Sequence, residues 1–291
     1  MRSVMYRKIK ISFLILTGFA LYSCIHTDPH DCPVPKSVTV AVGDKNYDNI
    51  SDVEGIVPVR TDSPFIFYLP QLFVWWSSAD IPHTASIMIR QAGEVHLLTT
   101  DIFSKGENDV VVVGNERHAG KKLQPIYSNM LHENGHEGSD VYIGSSRLSM
   151  PLSDDIIITM KRAKGKLITR FINLPEEIRR IDIRIDGLYE SVDGNMIYSG
   201  MAGVGKTFGS ADLNGDMELF LAPSNSFTGS PVTIDLFDKA GGKKTLSNIN
   251  VSIGRNRITL IKPVFDPETN LWEVSLLVDG EWETIHDLSI E

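Results

Sequence analysis

Cysteine is nearly missing from this sequence: two residues, Cys24 and Cys32, in a chain of 291. A disulfide framework is thereby excluded, so a packed core has to supply the stability. Helical periodicity is missing too. No segment keeps apolar residues at a 3.6-residue period over three turns, which argues against a bundle and against an α/β sheet. Positive charge is in deficit, with 28 Lys and Arg against 37 Asp and Glu, a formal net charge of −9. Such a balance argues against nucleic acid as a partner. Aromatics are 8% and form no clustered trio, so no stacking platform for sugars is visible. Trp75 and Trp76 are adjacent, but strand neighbours point to opposite faces, and core packing suits them better.

The apolar run Ile11 to Leu21 is too short to span a bilayer, and its setting gives it meaning. Arg2, Arg7, Lys8 and Lys10 precede it, and Leu21-Tyr22-Ser23-Cys24 follows. This order is that of a lipoprotein signal peptide over 1–23, with Cys24 as the acylated first residue of the mature chain; an ordinary secretory signal cut elsewhere is the alternative. Each acyl CH₂ buried in a membrane contributes about 0.8 kcal/mol. Acylation would consume the Cys24 thiol and leave Cys32 without an intrachain partner. Residues 24–36, with Pro29, Pro33 and Pro35, read as a tether.

What is abundant is period-two alternation. Val38, Val40 and Val42 begin it; Ile181, Ile183 and Ile185 alternate with Asp182, Arg184 and Asp186. Val232, Ile234 and Leu236 repeat the pattern, as do Ile249, Val251 and Ile253. Val110 to Val113 is a continuous apolar run, expected of a strand buried on both faces. Leu271 to Val278 and Trp282 to Ile290 flank Asp279-Gly280, a hairpin signal. Pro175 to Arg180 carries an early proline and two acids, the one candidate for a short helix. The expected fold is all-β, two antiparallel sandwiches over 37–150 and 151–291, divided near the polar stretch Met150 to Asp155.

Three stretches satisfy or begin a functional motif, and each fails its context. Gly200 to Thr207 matches G-x-x-x-x-G-K-T, in which backbone N–H groups at a helix N-terminus cradle phosphate. Here Gly209 and Asn214-Gly215 follow, so no helix does; a flexible Gly-rich loop is expected and no nucleotide. His132-Glu133-Asn134-Gly135-His136 matches H-E-x-x-H, which needs both imidazoles on one helical face around zinc. Asn134, Gly135 and Gly138 are poor helix formers, so a solvated loop is expected and no metal site. Asp212 to Asp216 opens like a calcium loop, but Met217 stands where glycine is required and Pro223 where the bidentate Glu belongs. No cofactor and no catalytic residue are expected.

The segment after the lipobox, Cys24-Ile25-His26-Thr27-Asp28-Pro29-His30-Asp31-Cys32-Pro33, resembles the mature N-terminus of the FimB family of Bacteroidales fimbrial anchor lipoproteins. Gly106 to Asn115, Asp140 to Gly144, Ile156 to Ile172 and Ile181 to Gly187 are similar in kind. The resemblance implies tandem transthyretin-like sandwiches and a non-enzymatic outer-membrane lipoprotein that seats a fimbria. It implies fimbrial shaft subunits as partners, joined by addition of a β-strand to an open sheet edge. Tyr22 and the loop from His132 to Gly138 depart from that pattern. The competing readings are a surface glycan-binding lipoprotein and, more remotely, a zinc protease.

If the lipidated end stays at the membrane, the opposite end of the chain is where a fibre is most simply met. Trp272, Val274, Leu276 and Trp282 are therefore the candidate partner-strand residues, the alternative being that these strands complete their own sandwich.

Overall fold

The computed structural model describes residues 37–59, 71–78, 81–88, 95–98, 106–114, 129–132, 134–150, 152–278, 280–285 and 288–290. Cys24, Cys32 and the signal-like segment lie outside these residues. In chain order the strands of the first half are β1 (Ser37–Val42), β2 (Gln71–Ser78), β3 (Ile81–Met88), β4 (Val95–Leu98), β5 (Gly106–Gly114), β6 (Asn129–Met130), β7 (Tyr142–Met150) and β8 (Ile156–Arg162). The second half adds β9 (Gly165–Thr169), β10 (Ile178–Leu188), β11 (Ser191–Val192), β12 (Tyr198–Ser199), β13 (Ala202–Gly209) and β14 (Met217–Leu221). It ends with β15 (Ser230–Asp238), β16 (Lys243–Val251), β17 (Ile258–Asp266), β18 (Leu271–Val278), β19 (Glu281–Thr284) and β20 (Ser289–Ile290). The described residues contain one 3₁₀ turn, Ile50–Asp52, and no α-helix.

The first half is a sheet in the order β3-β2-β5-β7-β8-β1-β4. Two pairs alone, Tyr142↔Arg162 and Ile143↔Lys161, join β7 to β8. The sheet therefore turns a corner there into two leaves. Gly144 suits that corner, since an added Cβ would come within 2.9 Å of the Thr159 carbonyl oxygen. Val110 to Val113 are all buried, as their unbroken apolar run implies.

The second half is a sandwich of two five-stranded sheets, β13-β10-β15-β16-β20 and β14-β9-β17-β18-β19. Alternation is the cause: Ile181, Ile183 and Ile185 on β10 and Val232, Ile234 and Leu236 on β15 all point into the core. Each half contains a parallel pair, β1 with β8 and β9 with β17. Strand pairing carries β8 into the first sheet, so that sheet continues past Met150 to Arg162. Ala163 and Lys164 alone separate β8 from β9, and both are fully buried. One continuous core runs through the junction, from Val111, Val113 and Ile143 to Leu167, Ile183 and Val204.

The short helix expected over Pro175 to Arg180 does not form. Ile178 donates its N–H to the Pro175 carbonyl in a single turn and then opens β10. Ile178 and Ile181 are wanted in the core, and that demand outweighs a local helical preference of a few tenths of a kcal/mol per residue.

Candidate functional site: the interdomain latch and the open sheet edges

Both rejected catalytic motifs meet in space. The Gly-rich run expected as a flexible loop is mostly strand β13, paired residue by residue with β10 from Gly209 to Val204. A strand cannot offer the converging N–H groups of a phosphate cradle. Its Lys206 instead reaches the residue just after the other motif, with Nζ 2.5 Å from Glu137 Oε1 and donating to the Glu218 carbonyl at 2.8 Å.

The loop around Glu137 was expected to be solvated, and it is instead a latch. Turn residues Asn134, at φ 52°, and Gly135, at φ 77°, bring it against the second sandwich, where Gly205 N–H donates to the Gly135 carbonyl at 2.8 Å. Phe220 N–H donates to Glu137 Oε2 at 2.8 Å. His132 is buried, its Nε2 accepting from Ala222 N–H at 2.9 Å and its Nδ1 facing the Glu137 carbonyl at 3.1 Å. These contacts fix the neutral imidazole with hydrogen on Nδ1. Burial, with help from Lys164, pushes its pKa down to about 3. Both nitrogens are engaged, so His132 does not offer zinc a lone pair, while His136 is exposed. Among the described residues no three His, Cys, Asp or Glu side chains group to hold a metal.

Beside the latch lies a buried polar knot that periodicity did not reveal. Arg162 Nε donates to Asp140 Oδ2 at 3.0 Å, Nη1 to Asn256 Oδ1 at 2.6 Å and Nη2 to the Tyr142 hydroxyl. Its guanidinium also covers the Tyr47 ring at 4.0 Å. Asp44 accepts from the Arg162 N–H and from Arg255 Nη1, at 2.9 and 2.7 Å. Lys164 Nζ donates to the Glu137 carbonyl, and burial lowers its pKa to about 7. Burial likewise raises the pKa of Asp140. The knot joins residues 44–48, the interdomain linker and the Arg255–Asn256 turn, so the halves are clamped rather than loosely strung.

The latch also decides which edges are open. It covers the flank where β13 and β14 end their sheets. On the opposite flank the edges are β19 and β20. All four β19 residues are exposed, and β20 pairs with β16 through Leu246↔Ile290 and Ser247↔Ser289 alone. Between them Ile285 and Leu288 pack on the core, so the C-terminal segment straps one sheet to the other.

The candidate partner-strand residues divide accordingly. Trp272 and Val274 are buried in their own sandwich, Trp272 packing against Phe171 and Phe265 with ring centroids 5.9 and 5.2 Å away. Leu276 is partly buried on the same core. Of the four, Trp282 alone stands on an edge strand, 43% exposed, with Lys262 Nζ 3.8 Å from its ring centroid. The calcium-like stretch is a turn in which Asp212 accepts from Gly209 N–H and Asp216 takes a two-pronged bond from Arg170. Trp75 and Trp76 sit on β2, between β3 and β5.

No protein-family model and no curated protein matches the sequence. Solved structures do match in fold. A protein from Bacteroides ovatus described as "a putative adhesin" aligns at TM-score 0.52 and 11% identity, over 87% of this chain and 95% of its own. A second Bacteroides ovatus protein, described as "a putative cell adhesion protein", aligns at 0.50 and 9% identity over 87% and 100%. The fimbrial anchor protein Mfa2 from Porphyromonas gingivalis aligns at 0.46 and 13% identity over 87% and 100%. The chain is an all-β tandem sandwich of the fold found in these Bacteroides ovatus proteins.

Proposed function

We propose that this chain is a non-enzymatic, lipid-anchored surface protein, held in the outer membrane through acylated Cys24, that seats the base of a fimbria. The reading is carried by the tandem-sandwich fold, shared along nearly the whole length of an adhesin-type protein, in a sequence that opens with a lipobox. Shaft subunits are the partners, met by strand addition on the β19/β20 flank, because the latch occupies the other one. The clamped junction suits a protein that must pass tension from fibre to membrane. Cross-linking of native cells followed by capture of this protein tests the reading. A fimbrial subunit in the eluate is the expected result; recovery of the chain alone, with fimbriae still attached to cells lacking it, would overturn it.

A second reading, surface glycan binding, is favoured by one feature. A cleft of about 760 Å³ lies between the latch and the second sandwich, lined by Asn134, His136, Asp182, Arg184, Thr207 and Asp235 among others. A glycan array with the His136→Ala control separates this reading from the first.

A further inference from the structure

The second sandwich has two poles. At one, β9 begins at Gly165 beside the linker, packed so closely on Gly254 and Arg257 that a Cβ would not fit. At the other, β9 and β17 end while β10, β16 and β18 begin. This far pole does not close. A cavity of about 260 Å³ lies there, lined by apolar Ile178, Leu236, Phe265 and Trp272 and by charged Glu177, Asp238, Lys243 and Lys244.

Lys244 is out of place by the alternation rule. Register pairs it with Leu236, whose side chain is in the core, whereas Lys243 and Thr245 flank it on the outer face and bind Asp235 there. Lys244 therefore stands in the core-facing row of β16, two residues before buried Leu246. Among the described residues no carboxylate or carbonyl binds its ammonium. Two acids share the cavity lining with it, Glu177 and Asp238, and Asp238 spends one carboxylate oxygen on Ala240 and Gly242 N–H in its own turn. Apolar side chains beside a half-buried cation in one lining are complementary to a bulky apolar group that carries a neighbouring anion.

We propose that this far-pole cavity is a socket for an extended segment of an assembling subunit, taking an aromatic or large aliphatic side chain onto Trp272 and Phe265 and an adjacent carboxylate onto Lys244. The ownership of that segment rests on the anchor reading; the chemistry of the socket does not. The position fits, because the pole lies at the end of the second sandwich opposite the linker to the first half. Edge pairing is at hand too, since among the described residues β20 pairs with β16 at Leu246 and Ser247 alone.

The test uses the purified mature chain and two capped probe peptides, Gly-Phe-Asp-Gly and Gly-Phe-Lys-Gly, followed by NMR at the Trp272 indole N–H. The acidic probe is expected to shift that signal saturably and the basic probe at least tenfold more weakly. Lys244→Glu should reverse the preference while leaving the melting temperature unchanged, and Lys244→Arg should retain it. Equal shifts from both probes, no shift from either, or an unaltered preference in Lys244→Glu each overturn the proposal. None of these results depends on fimbriae, so failure of the anchor reading in the capture experiment is distinguishable from failure of the socket.

Discussion

Lys206 Nζ lies 2.5 Å from Glu137 Oε1, so the lysine of a phosphate-loop pattern is ion-paired with a residue just beyond a zinc-protease pattern. Each pattern alone suggests an enzyme. Together they make a fastener: one sits on β13 of the second sandwich, the other on a loop leaving the first. Glu137 binds Phe220 N–H with its second oxygen, and its carbonyl serves Lys164 and His132.

Glu137→Ala is expected to cost about 2 kcal/mol, because it takes the carboxylate from a half-buried ammonium and leaves the Phe220 N–H unpaired at once. Lys206→Ala should cost about 1 kcal/mol, the pair being partly solvated. His136→Ala, on an exposed side chain, should stay within about 0.5 kcal/mol. Urea unfolding of the three variants and of the Glu137→Ala/Lys206→Ala double variant checks this. A double variant no less stable than Glu137→Ala alone would show the coupling directly.

Stability should vary with pH through two buried bases. Lys164 has a folded pKa near 7 against 10.5 unfolded, so the unfolded chain binds more protons between those values and stability rises with pH across that window. His132, near 3 folded against 6.5 unfolded, makes stability fall as pH drops from about 6.5 toward 3. Lys164→Met should flatten the alkaline limb of a melting-temperature profile and leave the acid limb in place. An alkaline limb unchanged in that variant would rule out Lys164 as its source.

Localisation rests on Cys24. Cys24→Ala is expected to abolish fatty-acid labelling and to move the protein out of the membrane fraction, with a cleavage-site antibody or mass measurement to separate release from retention by an uncleaved signal. Absence of label in the wild type would remove the anchoring argument.

The sequence announced the strands well and the junction poorly, for a physical reason. Alternation is local, so Ile181 to Ile185 and Val232 to Leu236 declare both their strand and its buried face. The Asp279-Gly280 signal likewise falls between β18 and β19, paired as a hairpin. The latch is held by partners tens of residues away, and its Asn134, Gly135 and Gly138 carry the composition of any surface loop. Lys164 does carry a local signal: it sits between two strands with Ala163 and Gly165 on either side, and such small neighbours mark a tightly packed crossing. Near Met150 the polar stretch suggested a boundary, yet β8 beyond it pairs with β1, because parallel partners can be far apart in sequence.

If the chain seats a fimbria as proposed, the C-terminal strap offers the sharpest test of where the fibre attaches. Trp272 and Val274 belong to the protein's own core, so replacing them with Ala should unfold the second sandwich, at a cost of about 3 to 5 kcal/mol for the tryptophan, and would say nothing about assembly. Trp282 is different. It is exposed on an edge strand and holds Lys262 by a cation–π contact worth about 0.5–1 kcal/mol at such a site. Trp282→Ala should leave the fold intact and yet raise the fraction of fimbriae shed into the medium several-fold, if partner strands add at β19. Truncation after Val278 goes further: it removes Ile285 and Leu288 from the core and uncovers both β18 and β16. That form should be less stable and, with two raw edges, should self-associate in gel filtration at micromolar concentration. Fimbriae retained at wild-type levels by Trp282→Ala and by a folded truncated chain would place the attachment on another edge, such as β3 or β4 of the first half.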